Sequence, residues 1–412
     1  MTRAYQFEDE LYDAQWLRAT GHASYGGAEL GECLAIARTI GTPDASRWYN
    51  AWFEMAERLH ARAQESADRG QGNEACAAYL RASNYYRASY TFLMSRPVDA
   101  RLVDAYRRQR VSFRNAMPLL PMQAQVIEIE YAGKCLHGYL FLAAAEGPRP
   151  VLIITGGYDS TAEECYFFSA RAAVERGYHC IVFDGPGQGG ALIEDGLPFR
   201  PDWEHVIAPV VDFALLNENI DKRKIALLGI SFGGYLAPRA ASGDARIAAC
   251  IADPGEYSLL EEMKARLPAL LAARFPEGNR IALSIFKAAL RRRLSHPTKG
   301  WGLRRCLWAH DLASPWDFML QLSEYSLAAR VTSIRCPTLV CSAESDELGA
   351  SADMLFNALT GAKQRIAFTN EEGAGAHCES GARPIFNERV LDWLDGVLGV
   401  GPSAASRYIS QS

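Results

Sequence analysis

Ser231 lies between two glycines, immediately after a run of apolar residues. The stretch Gly229-Ile230-Ser231-Phe232-Gly233 fits the pattern Gly-x-Ser-x-Gly, in which a serine on a sharp strand-to-helix turn acts as a nucleophile. Residues 225–228 are apolar and favour a short strand, and residues 235–240 favour the start of a helix. Because the chain contains 34 glycines, the pattern alone is weak, and its context has to decide.

A serine hydroxyl needs a base to take its proton and an acid to orient that base, because the hydroxyl alone is a poor nucleophile. In sites built on this pattern, the acid and then the histidine follow the serine along the chain. The histidines downstream of Ser231 are His296, His310 and His377. His377 lies in the glycine-rich stretch EEGAGAHCESGA after the last apolar run, so it is predicted to be the base. The other two fall in a predicted helical insertion.

The acid that orients the histidine is predicted to be Asp346. It lies on an acidic turn a few positions after the apolar run TLVCSA at residues 338–343. Glu344, in the same turn, is the alternative. Either side chain would supply a carboxylate for the imidazole of His377.

Two backbone N–H groups are needed to bind the oxyanion that forms when a serine attacks a carbonyl group. One is predicted to belong to Phe232, the residue after the serine. The second is predicted to belong to Gly157 or Tyr158, in the stretch VLIITGGYDST. There a double glycine follows an apolar run, so the backbone can approach a substrate closely.

A second glycine-rich stretch, DGPGQGG at residues 184–190, raises the possibility of phosphate binding. It lacks the Gly-Lys-Ser/Thr ending of a P-loop and the Gly-x-Gly-x-x-Gly spacing of a dinucleotide site. We therefore interpret it as a tight loop that shapes the floor of a pocket. No cluster of His, Cys, Asp or Glu has the spacing of metal ligands, so neither a cofactor nor a metal is predicted.

The spacing of apolar residues predicts the elements that hold these side chains. Roughly the first 115 residues have the periodicity of packed helices. From Gln125 the period changes to two, which predicts a hairpin. After Pro150, six apolar runs alternate with helix-like segments, as is typical of a mostly parallel, doubly wound α/β sheet. Ligands bind such sheets beyond the C-terminal ends of the strands, which is where Ser231 is expected.

The chain is long enough for more than one structural unit. We predict an N-terminal helical cap domain at residues 1–120, the first part of an α/β core at 121–255, a helical lid at 256–333, the second part of the core at 334–398 and a flexible tail at 399–412.

The composition is that of an ordinary globular protein, with 49% hydrophobic residues and a net charge of −5. That charge gives no reason to expect nucleic acid or an anionic membrane as a partner. The first residues lack the apolar core of a signal peptide, and no apolar run is long enough to span a bilayer. The ten cysteines are scattered and are interpreted as reduced, buried side chains. We expect a cytoplasmic protein with a small-molecule substrate.

The motifs TGGYDST, DGPGQG, GISFGG and GAGAHC, together with WYNAWFEMA and AYLRASNYYR near the N-terminus, resemble one group of α/β-hydrolases. This group contains 2,6-dihydroxypseudooxynicotine hydrolase and the fungal polyketide-shortening hydrolases, and is akin to the FrsA-like esterases. The resemblance spans roughly residues 20–398. It implies an α/β-hydrolase fold, a site covered by helices on two sides, a homodimer, and a triad of Ser231, Asp346 and His377.

The resemblance also implies a further acid beyond the strand that follows the nucleophile helix, because the nicotine-pathway enzyme has a glutamate there. In this chain the region reads DPGEYSLLEEM, and its spacing favours Glu262, with Glu261 and Glu256 as alternatives. Glu262 and Glu261 are interpreted equally well as exposed carboxylates on a helix.

The expected function is that of a serine hydrolase acting on a ketone or ester through an acyl-enzyme. Hydrolysis of a carbon–carbon or ester bond in an aromatic or polyketide-like molecule, in secondary metabolism or catabolism, fits the resemblance. An acyltransferase, cyclase or thioesterase would use the same triad. A non-catalytic scaffold that binds a small molecule is the alternative from another class.

Overall fold

The computed structural model describes residues 5–144, 147–267, 269–273, 275–277, 280–347 and 351–400. Over these residues the chain forms eight β-strands and seventeen α-helices. From residue 401 onward, the predicted tail lies outside the described residues.

Five helices precede the sheet and pack around buried aromatic side chains such as Trp48, Trp52 and Tyr85. The third of them begins after Asp44, whose carboxylate accepts hydrogen bonds from the backbone N–H groups of Ser46 and Arg47, at 2.8 and 2.9 Å. The five helices are α1 (Glu10–Gly21), α2 (Leu30–Ile40), α3 (Ala45–Asp68), α4 (Gly72–Ser89) and α5 (Ala100–Ala116).

The eight strands form one sheet in the order β1-β2-β4-β3-β5-β6-β7-β8. The first two strands form the predicted antiparallel hairpin, β2 also pairs antiparallel with β4, and all other neighbours are parallel. The strands are β1 (Gln123–Tyr131), β2 (Lys134–Leu142), β3 (Arg149–Thr155), β4 (His179–Phe183), β5 (Ile220–Ile230), β6 (Ile247–Asp253), β7 (Thr338–Ala343) and β8 (Lys363–Phe368).

Both faces of the sheet are covered, which explains why the central strands read as continuous apolar runs. Val151 and Ile153 of β3 pack into the core on one face, and Leu152 and Ile154 into the core on the other. The covering helices are α6 (Ala162–Cys165), α7 (Arg171–Arg176), α8 (Gly189–Ile193), α9 (Glu204–Leu216), α10 (Gly233–Ala241), α16 (Ala352–Ala358) and α17 (Arg383–Leu398).

A helical insertion separates β6 from β7, in the segment predicted to be a lid. Its fifth helix begins after Ser314, whose hydroxyl accepts the N–H of Asp317 at 3.2 Å, and Pro315 occupies the first helical position. The insertion contains α11 (Leu259–Ala265), α12 (Ala269–Ala272), α13 (Arg280–Ser295), α14 (Trp301–Ala309) and α15 (Pro315–Gln321).

The prediction of a mostly parallel sheet preceded by helices is confirmed by this architecture. In the described parts of the chain, no helix combines the length and the apolar character needed to cross a bilayer. All ten cysteines are free thiols, and eight of them are buried.

Candidate active site

Ser231 occupies a sharp turn between β5 and α10, with φ of +59°. Such a positive φ is costly for a residue with a side chain, and it persists only where the surroundings impose it. A Cβ atom at Gly229 would collide with the carbonyl oxygen of Gly233. The two glycines therefore let the strand and helix approach each other closely, and the turn presents the serine hydroxyl at the C-terminal edge of the sheet.

His377 bridges the predicted nucleophile and the predicted acid. Its Nε2 lies 2.9 Å from Oγ of Ser231, and its Nδ1 lies 2.7 Å from Oδ2 of Asp346. A carboxylate can only accept a hydrogen bond, so Nδ1 carries the proton and Nε2 is free to accept the hydroxyl proton of Ser231. The three groups are thus arranged for proton transfer from the serine to the histidine.

The charges around His377 favour its protonated form. Burial lowers the pKa of the imidazole, but the carboxylate of Asp346 outweighs this effect, so the pKa is raised above its usual value. The side chain of Asp346 is only 2% exposed, whereas that of His377 is 41% exposed. The acid is therefore enclosed, and the histidine faces the space where a substrate would bind.

The alternatives left open by the sequence lie elsewhere in the structure. Glu344 is exposed and accepts the backbone N–H of Asn370 at 2.7 Å. His296 is exposed on the insertion, where its ring accepts the backbone N–H of Lys299. Asp346 and His377 are thus the acid and the histidine that the fold brings to Ser231.

The backbone around Gly157 runs beside the serine, since a Cβ atom there would lie 2.7 Å from Cβ of Ser231. The Gly157 N–H already donates to the hydroxyl of Ser160 at 2.8 Å. Of the two residues predicted to provide the second oxyanion donor, Tyr158 is therefore the better candidate. The Phe232 N–H, predicted as the first donor, also borders this space, lying 2.9 Å from the position of that Cβ atom.

The Tyr158 side chain links the loop after β3 to the helical insertion. Its ring stacks on the ring of Phe232, with centroids 4.7 Å apart. Its hydroxyl lies 2.8 Å from Nε2 of His310, and Nδ1 of His310 lies 3.1 Å from the hydroxyl of Tyr325. Burial lowers the pKa of His310 to about 4, so the imidazole is neutral near pH 7 and joins the two tyrosines.

The glycine-rich stretch 184–190 packs against the loop that follows β3. It is not among the described residues that line the cavity at Ser231, so the sequence-based interpretation of a pocket floor is not supported. Instead, the Gln188 side chain donates to the carbonyl oxygen of Gly156 at 2.7 Å. The Asp184 carboxylate accepts the backbone N–H groups of Ala162 and Gly190 at 2.7 and 2.8 Å.

A cavity of ≈ 340 Å³ opens at Ser231 and His377, between α1 and the helical insertion. Two aromatic side chains of the insertion, Trp301 and Phe318, line this cavity. An N-terminal helix and the helical insertion therefore both border the site, as the resemblance implies.

Two glutamates in the wall of the cavity form a buried pair. Glu256 and Glu262 are 2% and 4% exposed, and one carboxyl oxygen of each has no hydrogen-bond partner among the described residues. Burial and the neighbouring Glu262 raise the pKa of Glu256 well above its usual range. Burial also raises the pKa of Glu262 to about 7, against a hydrogen bond from Ser351. Both groups can hold a proton near neutral pH.

Glu261, the other alternative for the extra acid, faces away from this pair. Its side chain is 45% exposed and accepts a hydrogen bond from Lys264 at 3.0 Å. It is therefore a solvated helix carboxylate. Among the described residues, no group of three His, Cys, Asp or Glu side chains could hold a metal ion.

Sequence reasoning missed a buried ionic cluster at the other end of the cavity. Arg18 donates to Asp159 at 3.0 Å and to Glu164 at 2.6 and 2.9 Å, and Arg305 donates to the second oxygen of Asp159 at 2.8 Å. Arg87 completes the cluster, 3.2 Å from Glu164. These residues come from α1, α4, the region after β3, and α14, so no local motif could have revealed them.

Comparisons with known proteins agree with this architecture. A family model described as the alpha/beta hydrolase family matches residues 135–384. Hydrolase LUC6 from Fusarium sp is 34% identical, and the alignment covers 96% of this chain and 98% of the relative. The 20-hydroxy-prefusarin hydrolase FUS2 from Gibberella moniliformis is 33% identical, with coverage of 96% and 98%.

A solved structure of 2,6-dihydroxy-pseudo-oxynicotine hydrolase superposes with a TM-score of 0.72 at 22% identity, covering 93% of this chain and 97% of that chain. At this identity the likeness shows the fold alone. The resemblance predicted from the motifs is confirmed by these matches, and the alternative of a non-catalytic scaffold is not supported. This chain belongs to the alpha/beta hydrolase family and is an enzyme of the hydrolase class.

Proposed function

We propose that this enzyme is a serine hydrolase that cleaves an acyl group from a small ketone or ester through an acyl-enzyme on Ser231. The observation that carries the proposal is the position of His377, hydrogen-bonded to both Ser231 and Asp346. The relative from Gibberella moniliformis is named as a 20-hydroxy-prefusarin hydrolase, which supports a substrate from secondary metabolism. Trp301 and Phe318 in the cavity wall support an aromatic or polyketide-like substrate.

In the first half of the reaction, Ser231 Oγ attacks the carbonyl carbon while its proton moves to Nε2 of His377. Asp346 stabilises the imidazolium that results. The oxyanion is bound by the N–H groups of Phe232 and Tyr158. When the leaving atom is oxygen or sulfur, the imidazolium returns its proton to that atom. Water then attacks the acyl-enzyme with His377 as the base, and the acid product leaves.

Cleavage of a carbon–carbon bond needs an acid for the departing enolate carbon. Glu262 and Glu256 are suited to this role, because both line the cavity and burial raises the pKa of both carboxyl groups, that of Glu262 to about 7. The proton that His377 took from Ser231 is then transferred to the glutamate carboxylate. The glutamate is thus protonated again, and His377 is again a base, before water attacks. The buried pair favours a carbon–carbon hydrolase over a simple esterase, because an ester needs no second acid.

A fluorophosphonate probe tests the nucleophile. We expect the wild type to be labelled and Ser231→Ala to remain unlabelled and inactive. Ser323→Ala is the matched control, because Ser323 is exposed on the insertion and its hydroxyl only donates to Leu320. Equal labelling of Ser231→Ala and wild type would overturn the proposal.

A substrate panel of aryl 1,3-diketones, aryl esters and thioesters tests the type of bond. We expect diketones to be cleaved to an acid and a methyl ketone. If esters were turned over rapidly and diketones were not cleaved, the enzyme would be an esterase and not a carbon–carbon hydrolase. Transfer of the acyl group to an added amine or alcohol in preference to water would instead indicate an acyltransferase, which uses the same triad.

A further inference from the structure

Three guanidinium groups surround two carboxylates in the ionic cluster formed by Arg18, Arg87, Arg305, Asp159 and Glu164. Although burial opposes ionisation, the guanidiniums of Arg18, Arg305 and Arg87 hold the pKa of Asp159 well below its usual range. The pKa of Glu164 is lowered in the same way. Both acids are therefore charged, and the cluster has one positive charge more than it has negative charges.

The histidine next to the cluster does not change this balance. His22 lies 3.2 Å from Glu164, and burial lowers its pKa although the carboxylate opposes this. It is therefore neutral at neutral pH. The side chains of Arg18, Arg87 and Arg305 are only 12%, 2% and 17% exposed, so solvent screens their charges weakly.

Two of the three guanidiniums border the cavity that contains the nucleophile. Arg18 and Arg305 line it together with Ser231 and His377, whereas Arg87 lies behind them and donates to the carbonyl oxygen of Asp159 at 3.0 Å. The Arg305 guanidinium lies over the rings of Trp301 and Tyr158, at 4.5 and 5.1 Å from their centroids. It is thus held in place before any ligand binds.

The pKa of Glu262 is raised to about 7 and that of Glu256 well above its usual range, so below about pH 7 the opposite wall repels an anion only weakly. The acids in the outer part of the site are either exposed, as Glu8 and Glu347 are, or, like Asp13, hydrogen-bonded to backbone N–H groups. The excess of positive charge is therefore confined to the inner end of the cavity, next to Tyr158.

We propose that Arg18 and Arg305 bind a carboxylate group of the substrate, close to the carbonyl group that Ser231 attacks. A carboxylate supplies the negative charge that the cluster lacks, and its planar pair of oxygens suits guanidinium donors. The inference rests on the proposed serine hydrolase, and it adds that the acyl substrate is an anion. Because Arg305 packs over the ring of Tyr158, a carboxylate bound to it lies next to the proposed oxyanion hole.

A matched pair of esters tests the carboxylate site. We compare kcat/KM for 3- and 4-carboxyphenyl acetate with that for their methyl esters, which lack the negative charge. In the wild type we expect at least a 10-fold preference for one of the acids, mainly through KM. In Arg305→Gln we expect the ratio of kcat/KM for the acid to kcat/KM for its methyl ester to fall to about 1, because any loss that does not involve the carboxylate affects both esters alike. Arg292→Gln, a change of an exposed arginine on α13, keeps the wild-type preference.

Ligand binding tests the same site directly, and its main comparison needs only the wild-type enzyme. We expect benzoate to bind at least 10-fold more tightly than benzamide in titration calorimetry, and Arg305→Lys to bind it less tightly than the wild type does. Equal binding of the two ligands, or a preference for the neutral esters, would overturn the carboxylate site. Because Ser231→Ala can be titrated with benzoate as well, this result is independent of whether Ser231 is the nucleophile.

Discussion

The hydroxyl of Tyr158 lies 2.8 Å from Nε2 of the buried His310, so the helical insertion holds a residue of the proposed oxyanion hole. The stack of Tyr158 on Phe232 extends this support to the second proposed donor. The insertion therefore has a part in the geometry of the proposed oxyanion hole as well as in covering the cavity.

Replacing His310 should reduce catalysis more than binding. In His310→Phe the hydrogen bonds to Tyr158 and Tyr325 are lost, so the Tyr158 N–H is no longer held in place. We expect kcat to fall about 10- to 100-fold, somewhat less than the loss of a whole oxyanion donor, with KM changed by less than about 3-fold. Affinity for a trifluoromethyl ketone inhibitor should fall by a similar factor.

Two variants serve as controls for His310. Tyr325→Phe keeps the bond between His310 and Tyr158, so its loss of kcat should be smaller. His296→Gln changes an exposed histidine of the insertion and should match the wild type. An unchanged kcat with a raised KM in His310→Phe would show that the residue serves only to bind the substrate.

Asp346→Asn tests the proposed orienting acid. We expect kcat to fall about 10⁴-fold, because an amide does not hold the imidazole in the required tautomer. His377 must be neutral to act as a base, and Asp346 raises its pKa. Activity is therefore lost as the pH falls below that raised pKa. In the variant the pKa is lower, so the acidic limb of the kcat/KM profile should move to lower pH.

Glu344→Gln is the matched control for Asp346, since it removes a carboxylate from the same acidic turn. Glu344 is exposed and accepts a hydrogen bond from the backbone of Asn370, so the activity and pH profile of the Glu344→Gln variant should equal those of the wild type. A larger loss in Glu344→Gln than in Asp346→Asn would reverse the assignment of the acid.

Glu262→Gln tests the second acid of the proposed carbon–carbon cleavage. We expect kcat/KM for a diketone to fall at least about 100-fold and kcat/KM for an ester to change by less than about 3-fold. Because the pKa of Glu262 is about 7, diketone cleavage by the wild type should decline above this pH as the proton is lost. Glu261→Gln should behave as the wild type. Equal losses for both substrates in Glu262→Gln would exclude a role specific to the carbon leaving group.

The same glutamate should make the fold less stable in alkaline solution. Its pKa rises from 4.5 to about 7 on folding, so the folded chain holds the proton more tightly than the unfolded chain does. Stability is therefore lost as the pH rises from about 4.5 through 7, by up to about 3 kcal/mol. The Tm of Glu262→Gln minus the Tm of the wild type, measured by calorimetry, should increase by about 2–4 °C from pH 4 to pH 8.5. A Tm difference between Glu262→Gln and the wild type that does not vary with pH would contradict the raised pKa of Glu262.

The sequence predicts the parts of the site that depend on local backbone geometry. A serine on a turn between strand and helix needs glycines at fixed positions, so the turn that contains Ser231 can be predicted from a short stretch of sequence. The apolar runs predict the strands because a sheet covered on both faces has no polar alternation. The order of acid and histidine along the chain then leads to Asp346 and His377.

The sequence does not predict contacts that depend on how distant helices pack. Arg18 and Glu164 are 146 positions apart, and nothing near either residue indicates their ion pair. His310 has the sequence context of an ordinary helix residue, and only the fold brings it to Tyr158. Distinguishing Glu262 from Glu261 likewise requires knowing which face of a short helix meets the cavity.

The proposed mechanism requires a covalent bond between Ser231 and the substrate, and a crystal structure of a trapped acyl-enzyme would show that bond. We predict continuous density from Ser231 Oγ to the acyl carbon, with the acyl oxygen about 3 Å from the backbone nitrogens of Phe232 and Tyr158. A substrate that is turned over in the crystal without ever being attached to Ser231 would contradict the account.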